Sequence, residues 1–365
     1  MPLVTTTTPF GIYTTPANPT VPIPVTKYTL TNTINSFSIS IIDYGAALTN
    51  LIVPDALGQL TDVVLGFDTL EDYLGITSFE NPYFGASIGR TSNRVRAGRF
   101  IMDGQQVQLS LNDGQNHLHG GFAGFDKRQF KASIISGGKV AFSYISTGGE
   151  EGYPNSVMAT ITYSINEENE IILEYLAMCD GPTPISLTNH TYFNLTGHAS
   201  ATYLNICAHR KTTASKLESH MITLYANEYT PVDENLIITG DVTPVQGTKF
   251  DLRTPKDINE LITNDPSGYD HNFCLNREGV PDGELVLAAS LEIRTDQPGL
   301  QFYTGNFLPE TALLRGKEST YYYKNGAFCA ETQAWPDAVN HNHFPNVLRS
   351  PGTVYKTISV YSFIY

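Results

Sequence analysis

Four residues of this sequence have side chains that exchange protons near neutral pH and sit in unusual surroundings. They are His119 in Asn-His-Leu-His-Gly-Gly (116–121), His190 in Leu-Thr-Asn-His-Thr-Tyr-Phe-Asn-Leu (187–195), Asp270 in Gly-Tyr-Asp-His-Asn-Phe (268–273) and Glu331 in Ala-Glu-Thr-Gln-Ala-Trp-Pro-Asp-Ala (330–338). Aromatic, Asn and Gly neighbours make these poor solvent-facing segments. Histidine with carboxylate, aromatic walls and no cofactor signature suits acid–base chemistry on a polyhydroxylated molecule. The Glu331 segment also holds the only tryptophan, Trp335, and an aromatic face beside a carboxylate suits a sugar ring. A carboxylate buried there has its pKa raised by desolvation, as a base working near neutrality requires. A histidine that donates a proton needs a pKa kept near or above about 6.5, and Asp270 or Glu331 is expected to supply the charge for His190. A metal reading stands beside this one. His117 and His119 are two apart, as are His341 and His343, and on a strand such pairs share a face, as in a cupin-like site; the Pro-containing surroundings of His341 and His343 read instead as a surface loop.

The elements that position these groups are strands. Phe37, Ile39 and Ile41 alternate with Ser38 and Ser40, and Val157, Ala159, Ile161, Tyr163 and Ile165 alternate with smaller residues, the period of half-buried antiparallel strands. Residues 170–178, 285–295 and 357–363 read as further strands. Gly137-Gly138, Gly148-Gly149 and Pro281-Asp282-Gly283 supply turns. Helical pattern is confined to short pieces at 70–74 and 257–263. Residues 1–24 are rich in Thr and Pro and read as an N-terminal arm, and residues 25–365 show no linker and no internal repeat. An all-β fold is expected, a large antiparallel β-sandwich in one domain.

Bulk properties narrow the partners. The 365 residues carry 22 Lys and Arg against 36 Asp and Glu, a net charge of −14, which repels nucleic acid, anionic lipid and phosphorylated substrates. No apolar run reaches the roughly 18 residues of a membrane span. Met-Pro-Leu-Val-Thr-Thr-Thr-Thr-Pro-Phe at the start has neither a basic nor an apolar signal region, so a cytoplasmic setting is expected, with an extracellular one left open by the low charge content. Cys179, Cys207, Cys274 and Cys329 are widely spaced with no CxxC pair. Nucleotide-binding glycine motifs and HExxH are missing from the sequence. The sequons at Asn189 and Asn194 fall in the His190 segment, where a glycan has no room.

Nine segments carry a resemblance. Ile-Gly-Arg-Thr-Ser-Asn-Arg-Val (88–95), the run from Leu118 to Arg128, Glu-Glu-Gly-Tyr-Pro (150–154), the His190 segment, Tyr-Thr-Pro-Val-Asp-Glu-Asn-Leu-Ile (229–237), Gly-Thr-Lys-Phe-Asp-Leu-Arg (247–253), the Asp270 segment, Gln-Phe-Tyr-Thr-Gly-Asn-Phe (301–307) and the Glu331 segment occur in unbroken order. Together they resemble the aldose 1-epimerase (galactose mutarotase) family. The resemblance implies the mutarotase-like supersandwich, anomer interconversion of free aldohexoses such as galactose and glucose by ring opening and closure, and no cofactor or metal. It implies Glu331 as general base, His190 as general acid, and Asn93, Arg94, His119, Asp270 and Gln301 as substrate-binding residues. Arg90 and His271 are then structural, and His117 is incidental. The implied partner is a monosaccharide, with neither nucleic acid nor membrane, and the chain is a monomer or homodimer. Rivals are a glycoside hydrolase using Asp270 and Glu331, which leaves His190 idle, a sugar-binding protein without catalysis, and a hexose-phosphate epimerase, which the charge of −14 disfavours.

Overall fold

The alternating segments form three large antiparallel sheets, beside smaller two-stranded ones, in the computed structural model, which describes residues 2–15, 18–55, 57–76, 80–201, 217, 220–281, 283–289 and 292–363. Cys207 and Asp282 lie outside the described residues. A seven-stranded sheet runs in the order Lys131–Ser136, Lys139–Ser146, Val157–Ile165, Glu170–Cys179, Tyr355–Ser362, Glu292–Thr295 and Val286–Ala289. A six-stranded sheet runs Tyr192–Phe193, Phe328–Gln333, Gly299–Tyr303, Asp270–Leu275, Ala226–Thr230 and Thr243–Pro244. Side chains on facing strands share one core, with Ala159, Ile161 and Tyr163 from the first sheet packed in a cluster with Phe273, Leu300, Phe302 and Ala330 from the second. The β-sandwich follows from this burial, since each sheet has one apolar face to cover. Polar links cross it as well: the Tyr361 hydroxyl donates to the Ala330 carbonyl at 3.3 Å, and Thr332 Oγ1 and Ser359 Oγ lie 2.7 Å apart.

Leu3–Thr15 and Asn18–Asn32 belong to the third sheet. They pair antiparallel from Leu3 opposite Asn32 to Thr15 opposite Asn18, and the second strand continues onto Ser38–Ile42. Pro9 and Gly11 flank a break in that register, where a residue without an amide donor interrupts the ladder. Residues 285–295 correct the expectation of a single strand. They are two, Val286–Ala289 and Glu292–Thr295, with Val286 opposite Thr295 and Leu287 opposite Arg294. Both strands share the period-two alternation, so the pattern alone does not reveal the reversal. The helices are the short pieces expected, Leu70–Tyr73 capped by Thr69 and Ile258–Asn264 capped by Asp257.

Candidate active site

The six-stranded sheet presents its polar face to a groove of about 760 Å³. Gln301 lies opposite both Glu331 and Asn272 in the ladder, and Tyr303 lies opposite Asp270 and Cys329. Residues opposite each other share a face, as do residues two apart. Asp270, Gln301, Tyr303, Cys329 and Glu331 therefore project to one side, while Phe273, Leu300, Phe302, Phe328 and Ala330 enter the core on the other. Tyr192, opposite Cys329, adds its ring to the polar side and brings His190 with it. The His190 ring lies between two others, 5.1 Å from Tyr192 and 5.7 Å from Tyr83, near parallel to both.

His190 Nε2 lies 3.7 Å from Glu331 Oε1, with both side chains buried. Burial drives their affinities for protons in opposite directions. Desolvation holds the Glu331 carboxyl well above the usual carboxylate range, reinforced by Asp270 and opposed by Arg94. It pushes the His190 imidazole down to about 4. The expectation that a carboxylate would hold His190 near its ordinary value is thus corrected: its neighbour is itself driven toward the uncharged form, and the ring is enclosed by tyrosines. Glu331 lines the groove, and its Oε2 is buried without a hydrogen-bond partner among the described residues.

The binding residues expected from sequence are drawn together in a polar chain. The Gln333 amide donates to Gln301 Oε1 at 3.3 Å, and the Gln301 amide donates to Asp270 Oδ1 at 2.7 Å. Asp270 Oδ2 faces Arg94 Nη1 at 3.8 Å, and Arg94 Nε donates to Asp113 Oδ2 at 2.8 Å. Burial raises the Asp270 carboxyl, with Arg94 and the Gln301 amide opposing. Asn93, Arg94, His119, His190, Asp270 and Glu331 line the groove, and Gln301, on the same sheet face, is joined to it through its bond to Asp270.

His119 is fixed by a reciprocal bond with Asn93. The His119 amide donates to the Asn93 carbonyl at 3.1 Å, and the Asn93 amide donates to His119 Nδ1 at 3.1 Å. Both residues have positive φ, 51° and 60°. Gly120 follows at φ 89°, where a Cβ would collide with the Gly89 carbonyl oxygen. Since Nδ1 accepts, the neutral ring carries its proton on Nε2. His119, His190 and Glu331 each bring one ligating atom within 4.8 Å of the others, yet neither nitrogen of His119 offers a free lone pair in this arrangement, and the donor set fits a metal poorly. The paired histidines fit worse. The left-handed turn at His119 breaks strand alternation, so His117 points away, bonded at 2.8 Å to the Ser110 carbonyl and at 2.7 Å to the Tyr153 hydroxyl. His341 pairs with Asp337 at 3.3 Å, and His343 donates to the Gly240 carbonyl. His271 packs on Phe250 outside the groove wall. Arg90 is buried and donates to the carbonyls of Ser146, Thr147, Pro154 and Asn155, holding the 88–95 segment in place. Asn189 and Asn194 are buried, with their amides bonded to the carbonyls of Gly85 and Gly326.

Trp335 is not the aromatic wall. Its indole N–H donates to the Pro298 carbonyl at 3.0 Å and its ring meets Phe344, because the residue lies past the end of the strand Phe328–Gln333. Tyr83, Tyr192, Tyr303 and Phe307 line the groove instead. Tyr83 and Asp113 were not singled out from sequence. Tyr83 sits at φ 66° in an irregular segment, where no periodicity marks it.

Comparison with known proteins agrees with the geometry. A family model described as aldose 1-epimerase matches residues 26–362. The chain is 45% identical to the galactose mutarotase of Homo sapiens over 331 residues, covering 89% of this chain and 90% of that one. It is 35% identical to the aldose 1-epimerase of Escherichia coli (strain K12) over 341 residues, covering 89% and 92%. The crystal structure of galactose 1-epimerase from Lactobacillus acidophilus NCFM has a TM-score of 0.77 to it at 25% identity, covering 99% of this chain and 98% of that chain.

Proposed function

This chain belongs to the aldose 1-epimerase family and interconverts the α and β anomers of aldoses, and within it we propose that Glu331 is the base and His190 the acid. The observation that carries this assignment is the 3.7 Å between His190 Nε2 and Glu331 Oε1 in the buried groove. The oxygen that loses a proton and the ring oxygen that gains one are bonded to the same carbon. Their two partners must therefore be neighbours, as these are.

Glu331 takes the proton of the anomeric hydroxyl while His190 Nε2–H gives its proton to the ring oxygen. The bond from the anomeric carbon to the ring oxygen breaks and the carbonyl forms. Rotation about the adjoining carbon–carbon bond presents the other face, and the same transfers in reverse close the ring. The two residues together hold one proton throughout, on His190 with the ring closed and on Glu331 with the ring open. Arg94, His119 and Asp270, with Asn93 and Gln301 as their supports, hold the remaining hydroxyls. A guanidinium fork and the His119 Nε2–H donate, and the Asp270 carboxylate accepts. A paired-carboxylate hydrolase is less well supported, because Asp270 is bound to Gln301 and a histidine stands 3.7 Å from Glu331.

Galactose and glucose are the substrates proposed. Polarimetry on freshly dissolved α-galactose and α-glucose tests this: the approach to anomeric equilibrium should be accelerated for both. Cleavage of a glycoside with no effect on free sugars would replace the reading.

A further inference from the structure

We propose that Cys329 is a positioning residue for the acid: its sulfur accepts the Nδ1–H of His190, so that Nε2 alone exchanges a proton during turnover. This rests on the assignment of His190 as the acid. Cys329 Sγ lies 3.6 Å from His190 Nδ1, and both residues are buried. The strand ladder sets the contact, since Cys329 stands opposite both Tyr192 and Tyr303 and two residues before Glu331 on the same face. The thiol is thus built into the strand that carries the base.

Proton accounting requires such a partner. The imidazolium carries hydrogen on both nitrogens. When Nε2–H passes to the ring oxygen, the neutral ring that remains has its hydrogen on Nδ1, and a buried N–H without an acceptor is costly. Tyr83 and Tyr192 occupy the ring faces, and the acceptors at hand are the residue's own backbone and the Cys329 sulfur, which the strand ladder holds in place. A thiol is a weak, uncharged acceptor. A carboxylate in its place would raise the basicity of the ring, as the Asp of a hydrolytic triad does for its histidine. Sulfur leaves the imidazolium a stronger acid, suited to a feebly basic ring oxygen. Burial holds the Cys329 thiol well above its ordinary range, so it stays S–H and adds no charge.

The direct test is ¹⁵N NMR of the imidazole in the wild-type protein at neutral pH. The neutral His190 ring should be protonated at Nδ1, and a ring protonated at Nε2 overturns the proposal without reference to any variant. Cys329→Ala should lower kcat about tenfold, the worth of one ordinary hydrogen bond, with KM within about twofold. Cys329→Ser, whose hydroxyl restores an acceptor, should recover most of the rate, whereas equal kcat in the alanine variant and wild type overturns the proposal. Failure of the underlying assignment has a different signature, an active His190→Asn enzyme.

Discussion

His190 Nε2 and Glu331 Oε1 lie 3.7 Å apart, and burial raises the proton affinity of the carboxyl while lowering that of the imidazole. In the free groove the shared proton therefore rests on Glu331, which is the arrangement of the ring-opened state. Closing the ring reverses it, and Arg94 together with the sugar hydroxyls must compensate the charge separation that results.

Glu331→Gln should reduce turnover by about 10²–10⁴-fold, the usual contribution of general base catalysis, while sugar affinity stays within severalfold. The amide keeps the shape but accepts no proton. Polarimetry with calorimetric binding of galactose measures both, and a variant with wild-type rates would remove Glu331 from the base role.

The pH profile should carry its limbs in reversed order. Below about pH 4 His190 gains a second proton for the pair and no base remains; the imidazole thus governs the acid limb. The alkaline limb belongs to the carboxyl, since Glu331 holds the pair's proton well above the usual carboxylate range and its loss leaves no acid. A plateau spans the interval. An alkaline limb that persists in residually active Glu331→Gln enzyme would contradict the assignment.

Stability should show the cost of burying the base. Glu331 has a folded pKa above its unfolded value of about 4.5, so the stability it contributes is fully present below that pH. It is lost as pH rises through the folded value. Glutamine does not titrate. The Tm of Glu331→Gln relative to wild type should rise from pH 5 to pH 8, by calorimetry, and a constant difference would mean that the carboxyl is not strained by burial.

His117 and His190 should separate cleanly. His117 is buried against Ser110 and Tyr153, so His117→Asn should lower Tm while kcat changes little. His190→Asn should lower kcat by about 10²-fold or more, with a smaller effect on Tm. Comparable losses of kcat in both variants would deny His190 its special place.

Much of this was legible in the sequence, for identifiable reasons. Val157–Ile165 and Glu170–Cys179 are read from alternation because each strand has one face in the core. Glu331 and His190 stand out because charged residues rarely sit among Phe, Cys and Tyr without a task. Trp335 misled because adjacency in sequence is not adjacency in space where a strand ends. Gln301 stands on the expected face of the sheet but is almost wholly covered, since strand alternation gives a face and not an exposure. Tyr83 and the turn at His119 depend on positive φ, which neither periodicity nor composition encodes. The low pKa of His190 depends on the rings around it, known only once the chain is folded.

The opposition of Gln301 and Glu331 in the ladder has a consequence for how this protein tolerates change. A single residue inserted into Phe328–Gln333 would turn Glu331 inward and bring Ala330 or Thr332 to the groove, so these strands are closed to length variation. Asp233–Ile237, by contrast, stands on a turn at the rim of the groove. Loops there can lengthen or shorten without disturbing the register beneath. Redesign toward a different aldose should begin at that rim, where variety is mechanically cheap, and leave the sheet untouched.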